Sequence, residues 1–179
     1  MEIVSTKIRG VYLIYPKIIK DNRGFFLEIF NSKKFKKIFK GNFVQSNMSL
    51  SIKKNTFRGL HFQKGKYAQD KFLTVLNGSI DDYIFDLRNN SKTFGKVLKF
   101  NLNSKLKNAI FIPKGLAHGF LTKEKNSLVS YLVSRNYNKK SDSGINIISA
   151  KINISNKIHL SKKDKKLPKF NKNKKYFIF

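Results

Sequence analysis

The chemistry open to this sequence near neutral pH starts from three histidines, because the chain has no cysteine. A neutral imidazole is a ready general base, since its unperturbed pKa of about 6.5 lies close to working pH. His61 sits in Arg58-Gly59-Leu60-His61-Phe62-Gln63, and His118 in Ile112-Pro113-Lys114-Gly115-Leu116-Ala117-His118-Gly119-Phe120. Both stretches are low in charge and flanked by apolar residues; His159 is the third histidine. A histidine in such a setting is either a hydrogen-bonded core residue or a reactive group, and the local pattern leaves both readings open. Metal ligation fits poorly, for no His-x-His or His-x-x-x-His pair occurs and no Glu follows at ligand spacing. Without cysteine there is no thiol nucleophile, thiolate zinc site or disulfide, and the redox compartment is unreadable. Ser161-Lys162-Lys163-Asp164 has the Ser-x-x-acid spacing of a capping box at a helix start.

The elements that must position these groups read mostly as strands. Runs rich in β-branched and aromatic residues occur at 71–76, 79–87, 96–102, 108–112, 118–122 and 127–133, separated by short polar or Gly/Pro-containing breaks. Asn77-Gly78 between the first two suits a type I′ turn and predicts a hairpin. Helical signals are few: Ser32 is placed to cap a short basic helix over 33–39, and Ser161 to cap another. Many short strands at this spacing predict a mainly β fold, a closed antiparallel sandwich or jelly roll whose interior is wide enough for one ligand.

The chain has 179 residues, with 38 Lys plus Arg against 10 Asp plus Glu and a net charge of +28. Its apolar fraction of 40%, with 17 Phe and 7 Tyr, supports a substantial core and excludes a wholly disordered polycation. One domain over 1–179 is expected, with a Lys-rich segment from about residue 151 that could form a basic tail. Only five of the basic residues are Arg, and the lysines are spread along the whole chain, which reads as a solvated surface rather than a nucleic-acid patch. Such a field still steers an anionic ligand as small as a nucleotide diphosphate. No apolar run approaches the roughly 18 residues of a membrane span and no signal peptide is visible, so a cytoplasmic protein is expected.

Several motifs, taken in order, resemble the dTDP-4-dehydrorhamnose 3,5-epimerase family of cupin jelly rolls. They are Asp21-Asn22-Arg23-Gly24-Phe25-Phe26-Leu27-Glu28, Phe43-Val44-Gln45-Ser46-Asn47-Met48-Ser49, the Arg58–Gln63 run, Lys71, Asp86-Leu87-Arg88, the Ile112–Phe120 run, Tyr131 with Tyr137, Ser143-Gly144-Ile145 and Leu160–Asp164. The resemblance implies a cofactor-free, metal-free isomerase that inverts carbons flanking the C4 ketone of a nucleotide-linked 6-deoxy-hexose. Such C–H bonds are acidified only by that carbonyl, so the enzyme must supply a base, stabilise an enolate and return a proton on the other face.

It further implies His61 as base, Asp164 as the carboxylate orienting it, Lys71 at the developing C4 oxyanion and Tyr131 as the returning acid. Arg23 and Arg58 are expected at the diphosphate or sugar, since a guanidinium fork pairs two oxygens at once. Phe26, Glu28, Gln45 and Asn47 match positions that hold nucleotide and sugar, His118 matches a sugar contact, and Tyr137 a ring stacked on the base. Phe26 and Glu28 would reach across a homodimer. The capping box competes with the dyad for Asp164, although one carboxylate can serve both. Asp81-Asp82 stands where the family has an apolar residue before its Asp and has no explanation at the level of sequence. A relative acting at C3 or C5 alone, or on another nucleotide sugar, and a non-catalytic nucleic-acid-binding protein are the alternatives.

Overall fold

The computed structural model describes residues 1–155 and 157–178; Asn156 and Phe179, the last residue of the apolar C-terminal run, lie outside the described residues. In chain order the strands are β1 (Glu2–Ser5), β2 (Tyr12–Tyr15), β3 (Ile18–Asp21), β4 (Gly24–Leu27), β5 (Gln45–Ser51), β6 (Phe57–Gln63) and β7 (Lys71–Asn77). They continue with β8 (Ser79–Asp86), β9 (Val97–Asn103), β10 (Ala109–Ile112), β11 (Leu116–Thr122), β12 (Ser127–Val133) and β13 (Asp142–Gly144). Helix α1 covers Ser32–Phe35 and α2 covers Lys162–Lys165. One sheet runs β1-β2-β10-β7-β12-β5 and faces a second, β13-β6-β11-β8-β9, while β3 and β4 form a separate ribbon. Neighbouring strands are antiparallel throughout, which is the expected jelly roll.

The expected hairpin at Asn77-Gly78 does not form. β7 pairs with β10 and β12, β8 with β9 and β11, so the chain changes sheet at this point. Gly78 alone makes the corner at φ 79°, where a Cβ would stand 2.7 Å from the Ser127 hydroxyl. Asn-Gly signals a positive φ, and a sheet-to-sheet corner requires one as much as a type I′ turn does. Which of the two forms is set by the facing strands: both β7 and β8 bury apolar residues against the opposite sheet.

Between the sheets Leu73, Val75, Ile80, Ile84, Leu102, Ile110, Phe120 and Val129 fill one end of the barrel. The outer face of the second sheet is covered by the C-terminal segment. Ile152 and Phe177 are buried there, with Leu160, Phe170 and Tyr176 packed against Phe62 and Phe85. The lysine-rich segment is thus no free tail, because its spaced apolar residues dock on the sheet while the lysines between them stay in solvent. On the other flank Phe30, Phe35, Phe39 and Phe43 close over Phe72 and Phe111. The cap of α1 is Asn31 rather than Ser32: its side-chain oxygen accepts from the Lys34 N–H, and the α-helix ends at Phe35 instead of reaching residue 39. Asn serves as well as Ser at this position, and it is Asn31 that has the extended backbone a cap needs.

Candidate active site

The site begins with an irregularity in β6. His118 of β11 faces His61 and Phe120 faces Arg58, so three steps on β6 oppose two on β11. This bulge resets the alternation of the strand, sending Leu60 and Phe62 outward under the C-terminal segment while Arg58 and His61 both line the cavity. Gly59 makes it possible, with φ 128° and a would-be Cβ 2.5 Å from the Gly119 Cα. The Arg-Gly-Leu-His spacing places two polar side chains on one wall that a regular strand would place on opposite faces.

The cavity between the sheets measures about 800 Å³. On its β6 wall His61 Nε2 lies 2.7 Å from Asp164 Oδ1. That pairing assigns the proton to Nε2, as donor to the carboxylate, and leaves the basic lone pair on Nδ1. Asp164 is buried, which would raise its pKa, yet the hydrogen bond and charge of His61, the Gly59 N–H and Ser161 hold it below the usual carboxylate range. Ser161 caps α2 by accepting from the Asp164 backbone N–H at 3.0 Å. The first half of the expected capping box is therefore present, while the carboxylate turns away to the imidazole. A short helix on the C-terminal segment carries the acid, and docking of that segment brings it to the histidine 103 residues earlier.

A second pair lies deeper. His118 Nε2 stands 2.6 Å from Asp82 Oδ2, and Asp82 is fully buried with its Oδ1 lacking any partner among the described residues. This accounts for Asp81-Asp82: strand alternation turns Asp82 inward to the histidine and Asp81 outward, 3.5 Å from Lys123 and 4.0 Å from Lys99. His118 thus has a buried carboxylate partner while it also lines the cavity, where the sequence reading expected a sugar contact.

Facing this wall, β7, β12 and β5 present Lys71, Tyr131, Gln45 and Asn47. Tyr131 is opposite Asn47 in the register, and Lys71 opposite Val133. The Lys71 ammonium donates to Gln69 Oε1 at 3.0 Å and lies 5.8 Å from the Tyr131 ring centre. Burial lowers the Lys71 pKa to about 8 against the opposing pull of Asp142. Burial also raises the Tyr131 phenol, a shift that the nearby Arg58 charge reduces. Arg58 is braced by the Ser51 hydroxyl at 2.9 Å and the Leu50 carbonyl at 2.8 Å.

At the rim, Tyr137 donates its hydroxyl to Asp142 at 3.1 Å, and Asp142 also pairs with Lys163 beside Asp164. Gln45 and Gln63 shape this loop: Gln45 Oε1 accepts from the Tyr137 N–H at 2.9 Å, and Gln63 Oε1 from the Asn138 N–H at 2.6 Å. Of the residues anticipated from sequence, the fold gathers His61, Lys71, Tyr131, Asp164, Gln45, Asn47, Arg58, His118 and Tyr137 around one cavity. Arg23, Phe26 and Glu28 do not line the cavity of their own chain. They lie on or just after the β3–β4 ribbon, where Arg23 pairs with Asp21 at 2.7 Å and Glu28 with Lys34 at 2.6 Å. Sequence reasoning missed Asp82, Asp142, Lys163, Gln63 and Gln69, of which only Asp82 carried a signal, as a charge interrupting an apolar strand. Among the described residues no three His, Asp or Glu side chains are grouped to hold a metal ion.

A carboxylate-held imidazole on one wall and an ammonium with a phenol on the other can remove a proton from one face of a bound molecule and supply one to its opposite face. The family profile described as dTDP-4-dehydrorhamnose 3,5-epimerase matches residues 5–172. The chain is similar to the dTDP-4-dehydrorhamnose 3,5-epimerase of Escherichia coli K12, 42% identical over 147 residues, 81% of this chain and 79% of that protein. It is similar in structure to the dTDP-4-dehydrorhamnose 3,5-epimerase of Elizabethkingia anophelis, with TM-score 0.90 and 38% identity over 98% of this chain and 99% of that one. The Legionella pneumophila dTDP-6-deoxy-D-glucose-3,5-epimerase, solved in complex with dTDP-4-keto-L-rhamnose, superposes with TM-score 0.86 and 32% identity, covering 95% of this chain and 98% of its own. With that match spanning nearly the whole chain, two opposed walls of acid and base, and a jelly roll to hold them, this protein belongs to the dTDP-4-dehydrorhamnose 3,5-epimerase family.

Proposed function

We propose that the chain inverts C3 and C5 of dTDP-4-dehydro-6-deoxy-D-glucose to give dTDP-4-dehydro-L-rhamnose. The observation that carries this reading is the opposition of His61 to Lys71 and Tyr131 across one cavity, since inversion needs proton loss and proton return on different faces. His61 takes the proton from the carbon beside the C4 ketone, and the C–H electron pair moves into an enolate whose negative charge forms on O4. Asp164 stabilises the imidazolium so formed, at 2.7 Å. Lys71 offers O4 a positive charge, and Tyr131, kept protonated by burial, delivers a proton to the carbon from the other side. Each inversion moves one proton off and one on, so no redox partner is required.

Arg58 supplies a guanidinium for diphosphate or sugar oxygens, and the Tyr137 ring a platform for the base. The reading also places a second copy against this one. The ribbon exposes Ile19, Phe25 and Phe26, and the open sheet edge β5 exposes Met48 and Leu50 with Ile52 just beyond it, apolar side chains and an unpaired strand edge that a second copy would cover. A partner covering these faces would bring its own Arg23, Phe26 and Glu28 to the cavity mouth. The compartment expected is the cytoplasm, and sedimentation of the pure protein tests the dimer.

The reaction is tested by incubating protein with dTDP-4-dehydro-6-deoxy-glucose in D2O and reading deuterium at C3 and C5. Incorporation at both carbons is the expected result. Incorporation at one carbon makes the protein a single-site epimerase, and none overturns the reading for this substrate.

A further inference from the structure

Lys71 is held in an unusual way for a half-buried ammonium that faces a cavity. Among the described residues no carboxylate comes within ion-pair distance of it. Its hydrogen-bond partner is a neutral amide, Gln69 Oε1 at 3.0 Å. That amide cannot turn over freely, because its Nε2 donates to the Arg135 carbonyl at 2.7 Å, which needs an N–H and so fixes the oxygen toward Lys71. The intervening residue is anchored as well. Asp70 Oδ2 accepts from the Ser134 hydroxyl at 2.7 Å and Oδ1 from the Lys114 N–H at 3.1 Å, so its charge is occupied away from the ammonium.

We propose that Gln69 is a positioning residue for Lys71: its amide, locked by the Arg135 carbonyl, aims the ammonium into the cavity while leaving the positive charge uncancelled for an oxyanion of the substrate. This inference rests on the reading of Lys71 as the partner of the C4 oxygen. A carboxylate at position 69 would hold the lysine more tightly and spend its charge; an apolar side chain would leave it unaimed. One accepted hydrogen bond leaves two ammonium N–H donors for the ligand. The charged and titratable groups facing Lys71 from the surrounding elements are Asp142, Tyr131, Arg58 and the His61–Asp164 pair, and of these Asp142 supports the ammonium from a distance.

The test compares wild type with Gln69→Glu and Gln69→Met by two readouts. The first is the titration of Lys71 itself, followed by NMR of protein labelled at lysine Cε, the resonance being identified by its loss in Lys71→Met. It is expected to move up by about one pH unit in Gln69→Glu, where a carboxylate favours the charged form, and down in Gln69→Met. The second is steady-state epimerisation, in which kcat falls by about tenfold or more in both variants with KM within about twofold, as for an interaction used mainly in the transition state. Melting temperature checks that both variants fold. A Lys71 titration that stays put in both folded variants overturns the proposal, as does a rise in KM with kcat unchanged. Titration shifts as expected in a protein whose wild type turns over no 4-keto sugar would instead overturn the proposed function and leave the amide contact standing.

Discussion

Replacing Asp164 by Asn separates the two roles that the sequence allowed this residue. The structure assigns the cap to the Asp164 backbone N–H, which bonds the Ser161 hydroxyl and survives the substitution. The carboxylate contributes elsewhere, 2.7 Å from His61 Nε2, and its charge matters once His61 has taken a proton. Two unit charges about 4 Å apart at an effective dielectric of about 20 attract by ~4 kcal/mol. The His61 side chain is 35% exposed and Asp164 5%, so solvent screens part of this. A loss of about 2–4 kcal/mol of transition-state stabilisation follows, a fall in kcat of about 30- to 1000-fold. KM should stay within about threefold, because the carboxylate does not reach the ligand and the effect appears only as charge develops. Stability should fall by about 1–2 kcal/mol, or roughly 2–8 °C in melting temperature for a chain of this size, since the carboxamide turns into a donor one of the two oxygens that accept from His61 and from the Gly59 N–H. Rates come from the conversion followed by NMR of the sugar protons, and stability from calorimetry of the same preparation. Turnover within about fivefold of wild type, or a collapse in stability with turnover per folded molecule preserved, would refute this division of roles.

Three further outcomes follow from the same geometry. Tyr131→Phe should leave wash-in of solvent deuterium at the base face while cutting formation of inverted product by about 100-fold or more, and unchanged inversion would remove Tyr131 as the acid. The dependence of kcat/KM on pH should descend as pH rises through about 8, because Lys71 must be protonated to meet an oxyanion and burial pushes its pKa in the free protein down to about 8; a profile flat to pH 10 would contradict this. Asp86 is fully buried and bonded to Arg88, Ser91 and Thr93, so Asp86→Asn should cost about 3–5 kcal/mol in urea unfolding by leaving the guanidinium under-paired. Burial would raise the Asp86 pKa but those donors bring it below the ordinary value, so its stabilisation is complete above about pH 4 and lost as pH falls through the depressed folded value.

Local patterns in the sequence were enough for the strand-rich fold class and for the start of α2 at Ser161, while the family resemblance of its motifs, rather than any local pattern, pointed to Lys71, Tyr131 and the other anticipated side chains that line the cavity. These are legible because alternation, capping and motif spacing are short-range properties of the chain. The Asn77-Gly78 corner shows their limit: the dipeptide encodes a positive φ, but whether two strands pair with each other or join opposite sheets depends on what their faces meet. The same holds for Asp164, where Ser-x-x-Asp marks a helix start and only the docking of the C-terminal segment on the outer sheet decides that the carboxylate turns to His61. Asp82 was visible as an acid in an apolar strand, yet its partner 36 residues away was not. Gln69 and Asp142 carried no signal, being ordinary polar residues, one in a short connection before β7 and the other at the start of the three-residue strand β13. Tertiary structure decided those pairings, because a buried charge or donor is placed by the partners that satisfy it, and those partners lie far apart along the chain.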